Sequence, residues 1–143
     1  MFLPPQTSVS EAGAFIRSRK RGLVMPIYSF THCRALTAET KQELASAVTN
    51  IHCEATGAPA KYVQIVFRKV EPGDAFTAGK PNEDFIALEA QLRPGRSEQV
   101  EQKMLWQLNE LLTRSLKPDK WFVSMGRFSS PHLIEDGNLV PAA

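Results

Sequence analysis

The chain is short of the features that would tie it to a bilayer, an oxidising compartment or a polyanion. Its cysteines, Cys33 and Cys53, are too few for a disulfide framework. No apolar run approaches the ~20 residues needed to span a bilayer, so no membrane partner is expected. A formal net charge of +2 gives no reason to invoke nucleic acid as a partner. These shortages lead us to expect a reducing, cytoplasmic location. What remains is ordinary: 43% of the residues are apolar and 22% charged, and 143 residues suit one compact core.

Residues 1–25 differ in composition from the rest of the chain. Pro4-Pro5 leads into Ser and Thr and then a basic cluster, Arg17-Ser18-Arg19-Lys20-Arg21, with Glu11 the one acid. Such composition fits an organellar transit segment, which would send the chain to the mitochondrion, or a nuclear or nucleic-acid patch. It also fits a solvated arm or an upstream extension of the coding frame. We expect a solvated arm or such an extension, and not a nucleic-acid patch, because the basic residues are few and no aromatic stacking platform accompanies them. Residues 1–25 are thus read as an extension, disordered or removed, and 26–143 as the folded domain.

From Ile27 the chain alternates strand, helix, strand, and then repeats the pattern. Ile27 to Thr31 is β-branched and aromatic, and Thr37 is placed to cap a helix running through Leu44, Val48 and Ile51 to about Gly57. Tyr62 to Phe67 alternates as a strand, and Glu71 to Pro81 reads as turn and loop. Phe85 to Leu92, a helix from Ser97 and a strand over Trp121 to Met125 make the second unit. The helices start about sixty residues apart, so one β-α-β unit is written twice, over about 26–70 and 84–127, followed by a C-terminal tail. The expected fold class is α/β: duplicated β-α-β units forming a four-stranded sheet, each crossover right-handed, with two helices on one face. The uncovered sheet face then calls for a second copy, so homo-oligomerisation is expected.

Five positions bear on chemistry. Met25-Pro26 opens an apolar strand. Proline suits a first strand position, and it would also be a titratable secondary amine if Met25 were removed. His52 follows Val48 by four residues, on or beside the apolar stripe of the first helix, as a core histidine or as an orienting donor at one end of a cleft. Arg93 and Arg96 flank Pro94-Gly95 before the second helix, where two guanidinium forks and free helix N–H groups could converge on a carboxylate. The alternative is a pair of solvated turn arginines. Glu135 lies in Ser129 to Gly137, which reads as a short helical turn ending at a glycine. His32-Cys33 and His52-Cys53 invite a metal reading, but neighbours diverge by about 100° on a helix and face opposite ways on a strand, so no metal is expected.

Taken together, Met-Pro-Ile-Tyr at 25–28, Leu36-Thr37, His52, Leu92-Arg-Pro-Gly-Arg-Ser97 and Ile134-Glu-Asp-Gly137 resemble the tautomerase superfamily. Within it the chain is similar to the cis-3-chloroacrylic acid dehalogenase subgroup, from Pro26 to about Gly137. The resemblance implies a homotrimer that acts without a cofactor on a small carboxylate substrate, with an N-terminal proline as the acid or base. By position, Pro26 would be that amine, Arg93 and Arg96 the substrate-binding clamp, and His52 with Glu135 the catalytic pair that orients water or substrate. The subgroup carries a tyrosine on the strand after its second helix, where this chain aligns Ser124, so proton transfer on an enol or keto acid is expected over hydration or dehalogenation. A non-catalytic oligomeric anion-binding protein, with Pro26 blocked by the N-terminal extension, is the alternative.

Overall fold

The computed structural model describes residues 26–128 and 134–139, with the side chains of Glu135 and Leu139 outside the description. The expected extension at 1–25 also lies outside the described residues. β1 (Ile27–His32) alternates, with Tyr28, Phe30 and His32 buried and Ile27, Ser29 and Thr31 turned the other way. α1 (Ala38–Thr56) starts where Thr37 Oγ1 accepts from the Thr40 N–H at 3.0 Å. It ends at Gly57, whose φ of 75° aims its N–H back at the Cys53 carbonyl. β2 (Gln64–Lys69) follows a single 3₁₀ turn over Ala60–Tyr62. The strand therefore begins two residues later than the alternation suggests, because the chain after Pro59 first closes that turn.

The stretch read as a loop contains a small hairpin, β3 (Phe76–Thr77) and β4 (Lys80–Pro81). β5 (Phe85–Leu92) then leads to α2 (Glu98–Leu116), capped by Ser97, whose Oγ accepts from the Val100 N–H at 3.2 Å. β6 (Lys120–Arg127) completes the second unit. The segment read as a helical turn is extended where it is described: β7 (Ile134–Glu135) and β8 (Asn138–Leu139) form a hairpin. Its two central residues, Asp136 and Gly137, have φ of 52° and 82°, the left-handed pair of a tight hairpin turn, which Asp-Gly favours over a helix end.

The sheet order is β2-β1-β5-β6, parallel within each unit and antiparallel at the β1/β5 seam. This is the expected duplicated α/β architecture. One sheet face meets both helices: Tyr28, Phe30, Ile86, Leu88 and Leu92 pack with Leu44 and Val48 of α1 and Met104, Leu108 and Leu112 of α2. The opposite face interleaves exposed Ile27, Val66 and Phe122 with exposed Glu89 and Arg68.

One polar latch ties the two units at the end of β1. Arg34 Nε and Nη2 donate to Asp84 Oδ1 at 3.0 and 2.7 Å, Asp84 Oδ2 accepts from the Asp119 N–H at 2.8 Å, and Arg34 Nη1 donates to the Leu116 carbonyl. Asp84 thus holds the loop after β1 and the end of α2 together, with its side chain only 25% exposed. Replacing Asp84 with Ala strips two charge-assisted partners at once, and we expect a stability loss of about 2 kcal/mol. Urea unfolding at neutral pH measures it, and a midpoint equal to that of the parent would remove the latch from the account of stability.

Candidate functional site

The site begins with the seam between the units. The antiparallel register pairs Ile27 with Gln91, and one further step sets Pro26 beside Leu92, with Arg93 next along the chain. Pro26 is buried, and its carbonyl accepts from the Gln64 N–H at 2.9 Å, which anchors it between β2 and β5. Tyr28 lies two residues on, the spacing that returns a side chain to the same face of a strand.

His52 reaches that face from α1, eight residues after Leu44 and four after Val48, all three buried. It is therefore on the apolar stripe itself. Tyr28 Oη and His52 Nδ1 are 2.7 Å apart, with the rings edge-on at 5.7 Å. His52 is only 1% exposed, yet its Nε2 has no hydrogen-bond partner among the described residues. Between β5 and α2, Arg96 is half-buried and donates from Nη1 to the Arg93 carbonyl at 2.6 Å. Arg96 is therefore folded back over its own turn.

Electrostatics join these groups. Burial, and then the Arg96 charge, push His52 from 6.5 down to about 4, so the imidazole is neutral at pH 7. Burial raises the Tyr28 hydroxyl above its ordinary range, Arg96 opposes that shift, and Cys53 adds a little to it. Arg96 itself is lowered by burial, with Tyr28 and Glu101 favouring its charge and Arg93 opposing it. A neutral imidazole, a protonated phenol and a charged guanidinium thus share one corner of the fold. That set can hold an anion and offer hydrogen bonds to its oxygens.

Of the five residues singled out by sequence, Pro26, His52, Arg93 and Arg96 come to this end of the sheet. The Glu135 backbone lies in β7, and its side chain is outside the described residues. Ser124 is paired with Glu89, on the sheet face opposite Tyr28 and His52. Tyr28 was the residue that sequence reasoning passed over; the i, i+2 relation to Pro26 was the signal that could have found it. A separate cleft of about 380 Å³ between α2 and β6 is lined in part by Glu98, Met125, and Glu101 with its bidentate partner Arg127; of the described side chains, Pro26, His52, Arg93 and Arg96 do not line it. Among the described residues no cluster of His, Cys, Asp or Glu is placed to hold a metal ion, and no helix is long and apolar enough to cross a membrane.

Residues 25–124 match the model of a family described as "Putative oxalocrotonate tautomerase enzyme". No curated protein matches the chain. Among solved structures, native Ps01740 is 28% identical over 76% of this chain and 99% of its own, with a TM-score of 0.68. A protein called N1, a member of the cis-3-chloroacrylic acid dehalogenase family, is 26% identical over 81% of this chain and 84% of its own, with a TM-score of 0.71. A fused 4-OT, described as an asymmetric trimer, is 20% identical over 80% of this chain and 95% of its own at a TM-score of 0.72, a likeness of fold.

The buried neutral histidine has a measurable cost in acid. As pH falls from 6.5 toward about 4, the unfolded chain binds a proton at His52 that the folded chain refuses, so stability drops through that window and the contribution levels off below it. The loss is on the order of 3 kcal/mol. In urea titrations from pH 7 to pH 4, His52→Gln should flatten the decline relative to the parent chain. Parallel curves for the two proteins would mean that His52 is not held neutral.

Proposed function

Because the chain belongs to the tautomerase family whose model matches residues 25–124, we propose that it is a tautomerase-like enzyme in which the amine of Pro26, once freed as an N-terminus, moves a proton on a small carboxylate-bearing enol or keto acid. The observation that carries this reading is the meeting of Pro26, the Tyr28–His52 pair and the Arg93–Arg96 turn at one end of the sheet. While residue 25 is attached, the Pro26 nitrogen is a tertiary amide whose lone pair is committed to resonance, so it cannot exchange protons near neutral pH. Freed, it is a secondary amine, and two guanidinium charges nearby lower its pKa, which raises the fraction present as neutral base at pH 7. Residues 1–25 are accordingly an extension whose removal switches the enzyme on.

In this reading Arg93 and Arg96 clamp the substrate carboxylate, which fixes the reacting carbon against Pro26. His52 orients the substrate oxygen, and Glu135 brings a carboxylate that holds the protonated amine or a water. Hydration or dehalogenation of an unsaturated acid is the variant chemistry; Ser124 in place of a tyrosine, on the face away from His52, argues for tautomerisation. In this reading the chain acts as a homotrimer in the cytoplasm; the exposed Ile27, Val66 and Phe122 on the free sheet face support self-association.

Three forms of the chain test the amine. In a phenylenolpyruvate tautomerisation assay, residues 26–143 should be most active, the same form carrying Pro26→Ala about a hundredfold lower in kcat, and residues 1–143 lowest. Full-length protein with an intact Met1 that turns over as fast as the processed form would eliminate the amine mechanism and leave an anion-binding protein or another base. In the processed form, Arg93→Ala and Arg96→Ala should each raise KM by roughly tenfold or more, as loss of one charge-assisted contact requires. Light scattering should give three times the chain mass; a monomer across the micromolar range would refute the assembly.

A further inference from the structure

We propose that Tyr28 is a positioning residue that locks His52 as the tautomer protonated on Nε2, so that His52 meets its ligand only as a hydrogen-bond donor to an oxygen and never as the base that takes the proton. Tyr28 lies outside the clamp and the amine, and its hold on His52 divides the chemistry of the site. It rests on the proposed function only in placing the substrate against His52.

The tautomer follows from counting buried partners. Tyr28 is fully buried, and His52 Nδ1 is the hydrogen-bond partner of its hydroxyl. If Tyr28 donates, its proton is satisfied, Nδ1 accepts, and the ring proton must sit on Nε2. If Nδ1 donates instead, the phenol proton is left without an acceptor among the described residues, and Nε2 becomes an unpaired lone pair among them as well. The first arrangement leaves one unmet group and the second leaves two, and each such group costs free energy when buried. Protonating both nitrogens would turn Nδ1 from acceptor to donor against a phenol that then loses its own acceptor, with the Arg96 charge close by.

The single group left over is the Nε2–H of His52, buried and without a partner among the described residues. A buried donor that no described residue satisfies specifies the chemistry of what completes it: an acceptor oxygen, carbonyl, enolate or carboxylate. His52 projects from α1 and its hydrogen bond to Tyr28 fixes the rotation of the ring, so the donor is pre-aimed, which is how a hydrogen bond stabilises charge as it develops on oxygen. Pro26 then carries the proton and His52 carries the oxygen. Neither residue does the other's work.

The test begins with ¹⁵N-histidine-labelled protein and long-range ¹H–¹⁵N correlation at pH 7, with the His52 signals identified by their loss in His52→Gln. The expected pattern is one protonated Nε2 and one bare Nδ1. In Tyr28→Phe, which keeps the packed ring, the two nitrogens should move toward each other as the tautomers mix. A His52 protonated on Nδ1, a doubly protonated ring, or a spectrum unchanged by Tyr28→Phe would each overturn the proposal. Kinetics of residues 26–143 give the second arm. His52→Gln, whose amide nitrogen reaches the Nε2 position, should keep kcat within about tenfold of the parent, whereas His52→Asn, which reaches only the Nδ1 position, should lose about a hundredfold with little change in KM. Equal losses in the two variants would overturn the donor role. The spectra decide the tautomer whether or not the chain is a tautomerase, while inactivity of every form, the parent of residues 26–143 included, would strike the proton-transfer reading alone.

Discussion

The antiparallel pairing of β1 with β5 is the constraint on which the rest of the molecule depends. It joins the two β-α-β units through the middle of the sheet, and it alone brings Pro26 to the strand end from which Arg93 and Arg96 emerge. Because the side-chain period of a strand is two, a slip of one residue would turn Tyr28, Phe30 and His32 to the open face and send Ile27, Ser29 and Thr31 into the core. The helices would then have no apolar surface to cover. Core packing and site geometry are therefore set by the same register, and neither can change without the other.

The site is correspondingly built from groups that the core would be better without. A buried phenol, a buried imidazole and a half-buried guanidinium sit where apolar side chains would pack with less penalty. The Tyr28–His52 hydrogen bond offsets part of that penalty by satisfying a donor and an acceptor together. What it leaves unmet, the His52 Nε2, is buried without a partner among the described residues, and an unmet buried group is where a ligand gains most.

Much of the fold was legible because its signals are local. Thr37 and Ser97 cap helices where their hydroxyls accept from the third residue on, and the apolar spacing from Leu44 to His52 and from Met104 to Leu112 fixes which faces are buried. The missed boundaries have equally local causes. The turn after Pro59 borrowed Tyr62 from the second strand, and Asp136-Gly137 made a hairpin turn where the glycine suggested a helix end. Within the site, Arg93, Arg96 and His52 stood out by residue type. Tyr28 did not, since an aromatic in a strand is the ordinary filling of a core, and only the distance to a histidine twenty-four residues away reveals its hydroxyl as engaged.

The Arg34–Asp84 latch shows what duplication did to the two halves. Aligning the first rungs of the two parallel pairs, Ile27 with Gln64 and Phe85 with Lys120, sets Asp84 at the position Pro26 occupies in the first half, and Ile86 at that of Tyr28. Aligning the two helix caps sets buried Leu112 opposite His52. The second half therefore carries a fastening and an aliphatic pair where the first carries a polar cluster. A strictly repeated chain would present two equivalent ends; this one is single-ended, with a buried polar cluster at one end of the sheet and the fastening between the halves at the other.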